Sequence, residues 1–286
     1  MLALVACLAV SGTVRLTAVG DLMLARWVEK RIDREGPAEV LRAVKLSLRS
    51  DLVVGNLECV LSSQPVRQGV WVPLHARPAS AKALRGFDVL NLANNHALDC
   101  GPAGLKDTQA ALHKVGIKWS GNRLQPLVIT RNGLKIALFG VSQFRTPGED
   151  GIVYADNPKL PGALKNAREQ SDVLIVMMHW GDELKSQPSA FQKSFASKLA
   201  RQDVDLVIGS HPHVLQRIES IRGAHRKCLV AYSLGNFVFD AKPGPTSESE
   251  ILEVELTKAG VKGFTTKPVS IRRGFPTPTK SGTTHA

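Results

Sequence analysis

At 286 residues, with 43% hydrophobic and 22% charged side chains, the chain can bury its own core as one large domain or two small ones, and its composition is globular. The formal charge is +12, yet Lys267, Arg272, Arg273 and Lys280 fall in the last 24 residues, which hold no acid. The remaining charge is spread without a Lys/Arg block and aromatics are only 5%, which argues against nucleic acid and for a field that attracts an anionic substrate or polymer.

Cys7, Cys59, Cys100 and Cys228 form no CxxC pair and no regular framework, so isolated buried thiols are expected rather than a zinc knuckle or disulfide scaffold. Residues 1–10 are apolar but too short to span a bilayer, and no positive segment precedes them. They read either as the remnant of an export signal or as a lead-in to the first strand. Leu4-Val-Ala-Cys7 has the look of a lipoprotein cleavage box with too few residues before it. The expectation is an extracytoplasmic or membrane-associated protein, with a cytoplasmic one as the alternative.

In chain order, Val14 to Val19 reads as a strand that breaks at Gly20-Asp21. Residues 36–49 carry apolar side chains at helical spacing behind an early Pro37 and predict a helix. Asp51 to Val54 is a second strand running into Gly55-Asn-Leu-Glu58, and residues 59–78 read as an irregular loop. Phe87 to Leu92 is a strand ending in Ala93-Asn-Asn-His96, followed by a helix from Gly101-Pro102 to about Val115. Ile117 to Trp119, Leu127 to Thr130 and Lys135 to Val141 are strands, the last two joined by a hairpin turn at Asn132-Gly133. Residues 143–160 read as surface loop and 161–171 as helix. Asp172 to Met178 is a strand ending in His179-Trp-Gly181, and 188–202 a helix. Leu206 to Ile208 is a strand buried on both faces, followed by Gly209-Ser-His-Pro-His213. Pro212 is expected to push Ser210-His211 towards extended geometry. Lys227 to Ser233 and Ile251 to Leu256 close the strand series, and the Thr/Pro/Gly/Lys-rich segment 263–286 reads as a mobile basic tail. Alternating strands and helices argue for an α/β core, and the hairpin and late strands add antiparallel pairing.

Five of these strand ends carry polar residues: Asp21, Glu58, Asn95-His96, His179 and His211/His213. Loops beyond the carboxyl ends of strands converge on one crevice in α/β folds. Taken singly, Asp21 is a turn residue and Asn94-Asn95 a helix cap; taken together they supply two carboxylates, a carboxamide and four imidazoles. Oxygen and nitrogen donors without thiolate suit Mn, Fe, Zn or Mg, and the number of donors points to a two-metal site with a bridging carboxylate.

Gly20-Asp21-Leu-Met-Leu-Ala-Arg26, Gly55-Asn-Leu-Glu58, Asn91-Leu-Ala-Asn-Asn-His-Ala-Leu-Asp-Cys-Gly101, His179-Trp-Gly-Asp-Glu183, Gly209-Ser-His-Pro-His-Val-Leu-Gln216 and Tyr232-Ser-Leu-Gly-Asn-Phe237 appear in the order of the motif series of the bacterial CapA family. The resemblance covers residues 14–257, and the family comprises poly-gamma-glutamate capsule-biosynthesis proteins related to calcineurin-like metallophosphoesterases. It implies a four-layer αββα sandwich of two mixed sheets over residues 14–262, with the metal loops at one edge. By analogy Asp21 binds one metal and Glu58 bridges. Asn95, His179 and His211 complete the second site, and His213 returns to the first. His96 is the expected general acid, with Asp99 orienting it, and Arg26, Glu183 and Asn236 are expected substrate contacts. The sequence departs from the phosphoesterase pattern at Met23, where a histidine ligand is usual, at Glu58 in place of Asp, and at Ala97 in place of an acid.

Two functions follow as expectations. One is a metal-dependent hydrolase or transferase acting on an anionic cell-envelope polymer; the other is a non-catalytic accessory that binds such a polymer during assembly or export, alongside membrane-bound capsule-synthesis machinery. A general phosphatase ranks below both because of Met23.

Overall fold

β1 (Val14–Leu22) is buried at all but one of its positions and carries Asp21 next to its end. The computed structural model, which describes residues 12–146 and 151–279, then continues with α1 (Arg26–Glu35), β2 (Leu52–Leu57), the two-residue strands β3 (Val60–Leu61) and β4 (His75–Ala76), β5 (Val89–Asn91) and α2 (Gly101–Lys114). β6 (Lys118–Ser120), β7 (Leu127–Arg131), β8 (Leu134–Ser142), α3 (Leu160–Glu169), β9 (Val173–His179) and α4 (Ala190–Arg201) follow. The chain closes with β10 (Leu206–Ser210), β11 (Leu215–Arg222), β12 (Lys227–Leu234), β13 (Asn236–Val238), β14 (Glu248–Thr257), β15 (Gly260–Arg272) and β16 (Phe275–Pro278).

These strands build two large mixed sheets. The first has the order β16-β15-β14-β1-β2-β5-β6, with β13 also paired to β1; the second has the order β11-β12-β10-β9-β8-β7. β1, β2, β5 and β6 run parallel, as do β8, β9, β10 and β12, so each sheet presents a row of carboxyl ends. The antiparallel strands lie outside those rows.

Period-two alternation sorts the apolar residues into layers. Leu16, Ala18, Val54 and Val89 from the first sheet meet Ile136, Ile175, Met177, Leu206 and Ile208 from the second in one buried cluster. The opposite face of the second sheet (Leu174, Val176, Val207) packs on Leu164 of α3 and on Phe195 and Leu199 of α4. That of the first (Val19, Val53, Leu90) packs on Val28 and Ile32 of α1 and on Leu105 and Leu112 of α2. The result is the expected helix–sheet–sheet–helix sandwich. Each fully buried aliphatic side chain contributes about 1.5–3 kcal/mol to holding it together.

Local structure departs from the sequence reading in several places, among them the short strands β3 and β4 inside the loop expected over 59–78. The helix expected over 36–49 is two short 3-10 turns, Pro37–Glu39 and Arg42–Val44, whereas α1 had not been anticipated. β11 is a further addition; its edge position leaves most of its side chains partly or fully exposed. Residues 263–279 are not a mobile tail: most of them pair in β15 and β16, and Val269, Ile271 and Phe275 are buried. Finally, His211 is not extended before Pro212 but turns with φ 98°, and His213 with φ 59°. The expected turn at Asn132-Gly133 has φ 46° and 80°, the left-handed pair that a two-residue hairpin needs.

Cys59, Cys100 and Cys228 are buried free thiols, and burial pushes the first up to about 12 and the second up to about 11. Among the described residues no helix is long and apolar enough to cross a membrane. Cys7 and the apolar residues 1–10 lie outside the described residues.

Candidate metal centre

Register alone brings the polar strand ends together. Asp21 on β1 is level with Asn56 on β2, which is level with Asn91 on β5; Asn236 on β13 flanks Asp21 on the other side. In the second sheet His179 on β9 is level with Ser210 on β10. Because the two sheets stack, these rows face each other at one edge of the sandwich.

Asp21, Glu58 and His179 are fully buried and His211 is 5% exposed. His179 Nε2 lies 2.7 Å from Asn95 Oδ1, 3.1 Å from His211 Nδ1 and 3.5 Å from Glu58 Oε1. On the other side His213 Nδ1 is 3.5 Å from Asp21 Oδ2, and His213 Nε2 is 3.8 Å from Glu58 Oε1. Two triads of donor atoms emerge, Glu58/His179/His211 and Asp21/Glu58/His213, each gathered within 4.8 Å, and they share Glu58.

The strained His loop is held from several directions. Asp21 Oδ2 accepts the His211 backbone N–H at 3.1 Å, and Leu184 N donates to Pro212 O at 2.9 Å. Phe144 lies against the His211 ring with centroids 4.1 Å apart, and Phe239 against His213 at 4.9 Å. Positive φ at two non-glycine residues costs on the order of 1–3 kcal/mol each and persists only where surrounding structure enforces it.

Burial governs the electrostatics. It lifts the Glu58 carboxyl well above the usual carboxylate range, with the Asp21 charge adding to the effect, and it raises Asp21 as well. It drives His179 well below the ordinary imidazole value and His211 down to about 3. The imidazoles are thus neutral at physiological pH, as ligands must be, whereas the carboxylates are held where ionisation is costly. Both Glu58 oxygens are buried without a hydrogen-bond partner. A buried carboxylate with no hydrogen-bond donor costs several kcal/mol, and a divalent cation is the group that this nitrogen and oxygen donor set fits.

His96 sits at the rim, half-buried, with its Nδ1 2.9 Å from Asp99 Oδ2; that carboxylate also accepts the Leu74 N–H at 2.8 Å. A cleft of about 540 Å³ opens over this edge, lined among others by Arg26, Trp71, His96, Arg145, Glu183 and His213. Arg26 pairs with Asp240 at 2.5 Å at its mouth. Asn236, expected to meet substrate, is 1% exposed; its Oδ1 lies 2.8 Å from His213 Nδ1, and its Nδ2 donates to His213 O and Thr246 O. In this structure it holds an imidazole. Met23 is fully buried in the core, with its Sδ accepting the Ala25 N–H at 3.1 Å, and adds no donor.

The sequence reading missed an amide network behind the cluster. Asn56 Nδ2 donates to Asp21 Oδ1 at 2.7 Å and lies 3.2 Å from His179 Nδ1, while Asn56 Oδ1 accepts from Asn91 at 2.9 Å and Asn94 at 3.3 Å. Asn56 stands inside the Gly55-Asn-Leu-Glu58 motif, so its place at a strand end was the available signal.

Two mixed sheets sandwiched between helices, with carboxylates, carboxamides and imidazoles at the carboxyl ends of parallel strands, define an α/β sandwich protein with a candidate metal centre at one edge. Within that class, the chain belongs to the family described as bacterial capsule synthesis protein PGA_cap, whose model matches residues 15–241. It is 32% identical over 280 residues to the PGA biosynthesis protein CapA of Bacillus subtilis (strain 168), covering 92% of this chain and 73% of that one. Identity to the capsule biosynthesis protein CapA of Bacillus anthracis is 32% over 289 residues, with 93% and 69% covered. A probable polyglutamine synthesis accessory protein of Mycobacterium tuberculosis (strain ATCC 25618 / H37Rv) is 27% identical over 253 residues, with 78% and 66% covered.

Proposed function

We propose that the protein acts in the making of an anionic cell-envelope polymer of the poly-gamma-glutamate type, as a divalent-metal-dependent hydrolase or transferase at the cleft. The observation that carries this reading is Glu58, whose two buried, unpartnered oxygens lie among His179, His211, His213 and Asp21. Asp21, Glu58, Asn95, His179, His211 and His213 would hold the metal. When bound, a divalent ion supplies Lewis acidity and lowers the pKa of water at the site.

The rest of the chemistry belongs to the chain. His96, on the solvent side, donates a proton to the leaving group, and Asp99 fixes the ring and its tautomer through Nδ1. Asn236 orients His213, and Asn56 orients Asp21. Arg26, paired with Asp240, lines the mouth where an anionic substrate would enter, and the +12 balance of the chain favours such a substrate. The same basic charge supports a second reading, a non-catalytic accessory that binds the polymer at the membrane-bound synthesis machinery outside the cytoplasm.

Metal analysis of the purified protein, combined with His96→Ala and His211→Ala, separates the two. For an enzyme, His211→Ala removes bound metal and function, and His96→Ala keeps the metal while lowering turnover of a poly-gamma-glutamate substrate about 10²- to 10⁴-fold. Full function in His96→Ala with loss in His211→Ala would leave the binding reading standing alone.

A further inference from the structure

The two donor triads are unequally provided. The one containing His179 and His211 has the Asn95 carboxamide beside it, 2.7 Å from His179 Nε2. The one containing Asp21 and His213 has three side chains, and Met23, two residues beyond Asp21, is packed in the core and contributes nothing. First-row divalent cations take four or more ligands, so this half of the cluster is a donor short.

A third triad lies at the mouth: a carboxylate oxygen of Glu183 is within 4.8 Å of ring nitrogens of both His211 and His213. Glu58 is fully buried and Glu183 exposed, so these two imidazoles have one carboxylate towards the interior and one towards solvent. The loop bearing Glu183 is pinned on both sides. Gly181 N donates to Gln143 Oε1 at 2.8 Å, Leu184 N to Pro212 O at 2.9 Å, and Gln216 Nε2 to Lys185 O at 2.7 Å. Leu184 takes φ 61° to allow this course, which turns the chain back on the His211-Pro-His213 loop.

The expected alternative role, substrate contact, conflicts with charge. A free carboxylate at the mouth repels the anionic substrate that the basic surface attracts, whereas a carboxylate shared with a cation does not. We infer that Glu183 is a metal ligand, forming with His211 and His213 a donor set on the solvent side of the cluster that adjoins the donor-short half through His213. The inference rests on the metal reading proposed above.

Binding of Mn²⁺ alone to the full chain tests it, by equilibrium dialysis and electron paramagnetic resonance, in wild type, Glu183→Gln, Glu183→Asp and Glu58→Gln. Glu183→Gln is expected to weaken at least one equivalent by about tenfold or more, the loss that even an outer partner of a ligand causes. Glu183→Asp, which keeps the charge, retains more affinity than Gln, and Glu58→Gln loses binding altogether. Unchanged melting of metal-free Glu183→Gln shows that the loss is not unfolding. Wild-type Mn²⁺ affinity in both Glu183 variants, with loss in Glu58→Gln, overturns the inference and leaves the metal reading intact. No Mn²⁺, Zn²⁺ or Mg²⁺ binding by wild type overturns both.

Discussion

Glu58 and His211 share one buried edge and respond to it in opposite directions. Burial lifts the folded-state pKa of Glu58 above its unfolded value, so the native metal-free protein keeps a proton that the unfolded chain releases. Stability from that group is present below the ordinary glutamate pKa of about 4.3 and is lost as pH rises through the folded value. His211 is depressed to about 3, so its contribution is full above the ordinary imidazole pKa of about 6.5 and is lost as pH falls. Glu58→Gln cannot ionise. It should therefore stabilise the metal-free protein at pH 8 by about 1 kcal/mol or more, since each unit by which burial raises a pKa is worth about 1.4 kcal/mol, while abolishing cation binding. Thermal melting in chelator at pH 8 checks this, and a melting temperature below that of wild type would count against a strained carboxylate. The types of these residues were legible in the sequence because each ends a strand. Their unequal exposure was not, since which side of the cluster faces water depends on how two distant sheets stack.

At the level of single elements, β10 and the loop behind it set the imidazole positions. Gly209 allows the backbone to pass close to its neighbour: a Cβ there would lie 2.0 Å from Tyr232 O and 2.6 Å from Trp180 Nε1. Gly209→Ala must therefore force β10 and β12 apart. We expect a loss of about 1–3 kcal/mol, as for overpacking elsewhere, with a disproportionate fall in metal affinity because His211 and His213 move with the strand. Denaturant unfolding and metal titration measure both, and a variant that melts and binds like wild type would contradict the close approach. The elements that sequence patterning found, such as β9 and β10, carry continuous apolar runs. α1 escaped because only Val28 and Ile32 of its ten residues are buried, too narrow a stripe to stand out among charges. Residues 36–49 show the reverse case, apolar spacing that suits a helix but is taken up in 3-10 turns under the sheet. β15 and β16 escaped because Thr, Gly, Lys and Pro read as loop, while edge pairing with β14 supplies the order.

For the molecule as a whole, the last strands are part of the core. Ending the chain at residue 259 would strip β15 and β16 from β14 and uncover Val254 and Ile251 beside a long unpaired edge. Such a truncation is expected to aggregate or to melt well below the intact chain, as size-exclusion chromatography and circular dichroism would reveal. A monomeric, cooperatively folded product would show that the first sheet closes without them. The family resemblance located the four-layer arrangement because its motifs run from Gly20 to Phe237, but those motifs stop before β14 begins.

β1 is zipped on one flank to the nearby β2 and on the other to β14, far along the chain. Asp21 is framed in the same way, by Asn56 from an early strand and Asn236 from a late one. The cage therefore exists only once distant segments have met, and the compartment in which folding finishes would decide which ion is taken.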